Sequence, residues 1–134
     1  MTMRREHQWE TLEDLTRFLS EVSSVVDVIV VEGIRDVEAL RELGYAGRVE
    51  VYSHAGLNES DVALLLSGSR EVLVLTDFDA EGGKLATRLS ELLESNGARV
   101  NREARRAFGK MLGALGANTV ESLDNIKYSL EKET

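Results

Sequence analysis

Apolar residues recur at Trp9, Leu12, Leu15, Phe18, Leu19 and Val22, a spacing of three to four that predicts one helix over residues 8–23. Thr11 and Asp14, three positions apart, have the form of a cap at its start. The pattern then changes period. VVDVIVVEG (25–33) is a β-branched run closed by Glu-Gly and reads as a strand, and RDVEALRELG (35–44) reads as a short helix that Gly44 stops. A second unit follows, with strand RVEVY (48–52), loop SHAG (53–56) and a helix over 58–67 opened by Asn58. The third has strand EVLVLT (71–76), the loop DFDAEGG and a helix over 81–95 carrying Leu85, Leu89, Leu92 and Leu93 on one side. A short strand at 98–101 precedes two helical patterns, one with Phe108, Met111, Leu112 and Leu115, the other with Val120, Leu123, Ile126 and Leu130.

Strands that are continuous apolar runs, alternating with helices, define an α/β protein: a mostly parallel four-stranded sheet covered by helices, with extra helices at both ends of the chain. No linker, low-complexity run or repeat divides the 134 residues, so a single domain is expected, with a core over about 27–105 and a helical tail over about 103–131. Trp9, Phe18 and Phe108 fall on helical stripes and read as core. The apolar faces of the tail need a cover, which is either the sheet or a second copy, so a homodimer is one expected assembly. In a parallel sheet ligands bind beyond the carboxyl ends of the strands, which makes the polar residues there the ones to weigh.

Composition narrows the chemistry. With no cysteine and two histidines, His7 and His54, disulfides, thiol nucleophiles and cysteine-held zinc are excluded, and a metal would have to be bound by oxygen. No apolar stretch is long enough to span a membrane, and MTMRREHQWE lacks the apolar centre of a signal peptide, so a cytoplasmic protein is expected. A net charge of −8 argues against nucleic acid until it is divided along the chain. Residues 97–113 set Arg99, Arg102, Arg105, Arg106 and Lys110 against Glu103 alone, a local +4 on a remainder of −12. Such a strip docks phosphates while the rest of the surface suppresses non-specific binding, or it is simply a solvated helix face.

Glu32 ends the first strand, and Asp77, Asp79 and Glu81 follow the third, so a parallel sheet brings four carboxylates to one edge. Their repulsion is relieved by protonation or by a hard divalent cation such as Mg²⁺. Asp77 and Asp79, two apart in extended chain, project to the same side and Phe78 to the other, into packing beneath the loop. Gly33, Gly82 and Gly83 allow close approach of a phosphate. The alternative is that Asp77 and Asp79 cap the following helix. His54 and Asn58, near the end of the second strand, are candidates to line the same cleft.

VIVVEGIRDVEALRELG (28–44) followed by VLVLTDFDAEGGKLA (72–86) resembles the two motifs of the Toprim domain, found in topoisomerases, bacterial primases and several nucleases. The resemblance implies a Rossmann-like Toprim fold, with Glu32 as general acid or base, Asp77 and Asp79 as the Mg²⁺ pair, Glu81 as a third acid and Asp36 at an acidic position of primase-like members. No tyrosine stands in a topoisomerase-like setting, and the cysteines of primase zinc modules are absent. The nearest likeness is therefore to the small ribosomal-RNA-maturing nucleases, where Lys84 matches a basic residue that faces phosphate. The function implied is Mg²⁺-dependent cleavage of RNA or DNA, with Mn²⁺ as a possible substitute and Arg102, Arg105, Arg106 and Lys110 tracking the backbone. The alternatives are a non-catalytic module binding Mg²⁺ and nucleic acid or a protein partner, and a phosphatase of the haloacid-dehalogenase type that uses Asp77 as nucleophile.

Overall fold

A computed structural model describes residues 2–52 and 58–133; His54, one of the candidate ligand residues, lies outside them. Helix α1 (Thr2–Val22) leads to strand β1 (Val28–Val31), α2 (Ile34–Glu42), β2 (Arg48–Val51), α3 (Glu59–Leu65), β3 (Glu71–Val74), α4 (Ala80–Ser95), β4 (Arg99–Val100), α5 (Arg102–Ala114) and α6 (Ser122–Lys132). The strands form one sheet in the order β2-β1-β3-β4, and all three pairings are parallel.

Alternation along the strands separates two cores. Ile29, Val31, Leu73 and Leu75 face α1, α2, α5 and α6, where Leu15, Leu40, Phe108 and Leu123 are fully buried. Val28, Val30, Val72 and Val74 face α3 and α4. Because α5 and α6 bury Phe108, Leu112, Leu123 and Leu130 in the first of these cores, the tail helices are covered within the chain. Their pattern therefore requires no second subunit. Among the described residues no helix is long and apolar enough to cross a membrane.

Local details follow the expected chemistry with one correction. Asn58 caps α3 by accepting from the Asp61 N–H, and Gly44 takes a positive φ just past α2. Thr11 and Asp14, however, do not open α1. The helix begins at Thr2, and the Thr11 hydroxyl donates to the His7 carbonyl one turn back, as a mid-helix threonine does. The apolar stripe located the buried face of this helix but not its polar first two turns, which lack the residues that define a face.

Candidate functional site

The meeting of β1 and β3 at the centre of the sheet determines the site. Leu75 N–H donates to Val30 O at 2.7 Å, the last backbone rung between them, and the next bond comes from a side chain: Asp77 N–H donates to Glu32 Oε2 at 2.6 Å. The side chain of the motif glutamate thus meets the backbone of the first motif aspartate across the two strand ends. Asp79 is the N-cap of α4, and its Oδ1 accepts from Gly82 N–H at 2.7 Å. Phe78 turns the other way, as alternation predicts. Its ring stacks toward Phe108 with centroids 6.1 Å apart, and the Arg105 guanidinium lies over it at 4.1 Å.

Burial and crowding of like charge raise the Asp77 carboxyl from 3.8 to about 7, with Glu32, Asp36, Asp79 and Glu121 adding to the effect of desolvation. Asp36 is also raised by burial, although backbone N–H groups of Gly33 and Glu121 oppose the shift. For Asp77 the folded value lies above the unfolded one, so the folded chain holds its proton more tightly and stability falls as pH rises from 3.8 through about 7. Metal-free Asp77→Asn protein should therefore gain on wild type across that window and keep a constant advantage above it. Denaturant titrations at a series of pH values measure the difference; a gap that does not change with pH would exclude Asp77 as its source.

Other candidate residues take different parts. Asp36, expected at an acidic position of the site, is only 4% exposed and has both oxygens committed, Oδ2 to Gly33 N–H at 3.1 Å and Oδ1 to Glu121 N–H at 2.9 Å. It is a bracket between the β1 loop and the start of α6. Arg105 does not belong to an exposed strip either. Its guanidinium reaches inward to the carbonyls of Val74 at 3.1 Å, Thr76 at 2.9 Å and Asp77 at 3.1 Å. Burial lowers its pKa, while the Glu32 and Asp77 carboxylates act in the opposite sense. Arg102 forms a bidentate pair with Glu94. Arg106, Lys110, Lys84 and Glu81 are exposed, and open space surrounds the Gly33 and Gly83 α-carbons.

One participant carries no signal in the sequence, and Arg105 takes a part other than the phosphate contact expected of it. The loop between α5 and α6, entered through Gly116 at φ +73, ties down both motif loops: Asn118 O accepts from Phe78 N–H at 2.7 Å, and Glu121 N–H meets Asp36. Glu121 also adds its charge to the field on Asp77. Nothing in the local pattern of 116–121 marks it as part of the site. Arg105 did carry a signal, since it stands three and seven residues before Phe108 and Leu112 on the buried side of α5. Among the described residues no three acidic or histidine side chains already converge as a coordination set.

An all-parallel α/β sheet with acidic residues at its central strand ends defines a Rossmann-like module with a candidate site beyond those ends. The chain belongs to the Toprim domain family, whose model matches residues 27–104, and within it stands with the UPF0292 proteins. It is 37% identical to a UPF0292 protein of Pyrococcus furiosus over 90% of this chain and 89% of that one. It is 36% identical to one of Methanosarcina barkeri, covering 93% and 86% of the two chains. The solved structure of a protein from Aquifex aeolicus matches with a TM-score of 0.65 at 29% identity, over 81% of this chain and 96% of that one. Toprim domains generally bind divalent metal ions and are associated with nucleic acid. The family match sets aside the phosphatase alternative, and neither UPF0292 name states an activity.

Proposed function

We propose that the protein is a Mg²⁺-dependent endonuclease that hydrolyses phosphodiesters of RNA or DNA, with Mn²⁺ able to substitute. The observation that carries this reading is the hydrogen bond from Asp77 N–H to Glu32 Oε2 between adjacent strand ends, with Asp79 two residues on. The donor set consists of carboxylate oxygens, which suits a hard cation. The Asp77 carboxylate accepts no hydrogen bond among the described residues, and Asp79 uses Oδ1 for its cap, which leaves Oδ2. These two residues would hold the ion, with Glu81 at its outer side. When bound, the cation neutralises charge that develops on the scissile phosphate.

Glu32 is oriented by the Asp77 N–H at Oε2, so Oε1 is the atom placed to take a proton from water or return it to the leaving oxygen. Lys84, on the first turns of α4, supplies a charge for phosphate, and its position supports kinship with the ribosomal-RNA-maturing nucleases. A second reading, a non-catalytic module that anchors nucleic acid through the metal, is favoured by Asp79 already serving as a helix cap.

The test is cleavage of single-stranded, duplex and hairpin RNA and DNA with Mg²⁺ or Mn²⁺, alongside calorimetric metal titration. Cleavage by wild type is expected to disappear in Glu32→Gln and in Asp77→Asn/Asp79→Asn, with metal binding lost only in the second. Metal binding without cleavage of any substrate would transfer the assignment to the binding module.

A further inference from the structure

β4 pairs with β3 only at Glu71 and Val72, after which Asn101 donates to Val72 O and the chain leaves the sheet to begin α5. The outer edge of β3 from Val74 onward therefore has no neighbouring strand. Arg105 takes over its carbonyls, as described above. Because α4 and α5 cover opposite faces of the sheet and do not pack on each other, an open groove of about 510 Å³ remains along that edge. On one side lie Gly83, Thr87 and Ser90 of α4, and on the other Arg102, Arg106 and Gly109 of α5. No carboxylate lines it. Phe78 and Arg105 also line the groove, and the Arg105 guanidinium donates to the Asp77 carbonyl at 3.1 Å, which sets the groove beside the segment that carries the motif aspartates.

We propose that this groove holds a single strand of nucleic acid by its phosphates and leads it to the strand-end carboxylates; this rests on the nucleic-acid reading above. Arg102 and Arg106 stand four residues apart on its α5 wall, Arg102 shared with Glu94, and Lys110 follows four residues beyond the lining, a rise of about 6 Å per step. A cleft of about 510 Å³ is too small to take in a duplex, whose major groove alone is about 12 Å wide. Strands are often held by bases stacked on aromatic rings, but Phe78 is engaged with Arg105 and Phe108, and no other aromatic lines the groove. Recognition is therefore through the backbone, without regard to base, and RNA and DNA share the chemistry it reads.

Fluorescence anisotropy with short labelled oligonucleotides in EDTA separates this from catalysis. RNA, DNA and abasic single strands should bind the full chain, duplex much more weakly, and a difference between the two sugars would name the source of the strand. Arg106→Glu and Thr87→Glu, on opposite walls, should each weaken binding about tenfold or more, and Arg106→Ala should make the salt dependence shallower by about 0.7 in slope. Thermal melts verify that the variants fold, and Arg17→Glu on α1, with the same charge change as Arg106→Glu, should bind as wild type does. Equal damage from Arg17→Glu, tighter binding of duplex, or dependence on bases would overturn the groove. Cleavage at the wild-type kcat/KM by both groove variants would also overturn it and leave the endonuclease reading standing. Strand binding through the groove by a protein that never cuts supports it and removes only catalysis.

Discussion

Gly82→Ala is expected to destabilise the protein by about 3 kcal/mol, the upper end of the usual cost of overpacking, and to abolish metal binding with it. A methyl group at this position would sit 2.8 Å from Asp77 Cα and nearer still to the Asp77 carbonyl. Both are backbone atoms with no rotamer by which to escape. Gly82 is also held from both ends, its N–H by Asp79 and its carbonyl by the buried Thr76 hydroxyl at 2.8 Å. The first turn of α4 and the Asp77 segment must therefore separate, and the two candidate metal ligands separate with them. Gly83 is the internal control. Nothing lies within 4 Å of a Cβ placed there, and alanine in a helix is favoured over glycine by up to about 1 kcal/mol, so Gly83→Ala should raise the melting temperature and keep metal binding. Thermal unfolding and calorimetric titration of both variants measure this. Similar behaviour of the two would mean that the α4 turn tolerates a shift that the packing around Gly82 denies.

Both glycines read alike in the sequence, as sites of close backbone approach, because the property that separates them is the proximity of a segment five residues away. The same limit runs through the site. Glu32 and Asp77 could be brought together from the sequence because parallel strand-helix units order the sheet, and that order places both motif ends side by side. The role of Asp36 could not, since its partner Glu121 is 85 residues further on and is met through a backbone N–H that any residue would offer. Asp79 satisfies both readings of Asp-x-Asp at once, as a helix cap through one oxygen and as a candidate ligand through the other. The basic segment was legible as charge but not as two populations: helical phase places Arg102, Arg106 and Lys110 on the exposed side of α5 and Arg105 toward Phe108. Composition counts cations, and only the position of each on the helix says which of them faces water.

That division makes Arg105→Ala the second large effect, a loss of about 2–4 kcal/mol, whereas Arg106→Ala should stay within about 0.5 kcal/mol of wild type. The Arg105 guanidinium supplies donors to Val74, Thr76 and Asp77 carbonyls along an edge with no paired strand, and Val74 and Thr76 are buried. Removing it leaves those acceptors without a partner and uncovers the Phe78 ring. The adjoining groove admits water, which rehydrates some of them and keeps the loss below the full sum. Arg105→Lys should recover less than half, because a single ammonium cannot span three carbonyls or lie flat on an aromatic ring. Arg105 also interacts electrostatically with Asp77, so its loss should raise the proton affinity of that carboxylate further and shift metal binding to higher pH. Denaturant unfolding of the three variants, with metal titrations at two pH values, tests both consequences together. If Arg105→Ala costs no more stability than Arg106→Ala, the guanidinium does not replace the missing strand, and β3 must be satisfied by water along its open edge.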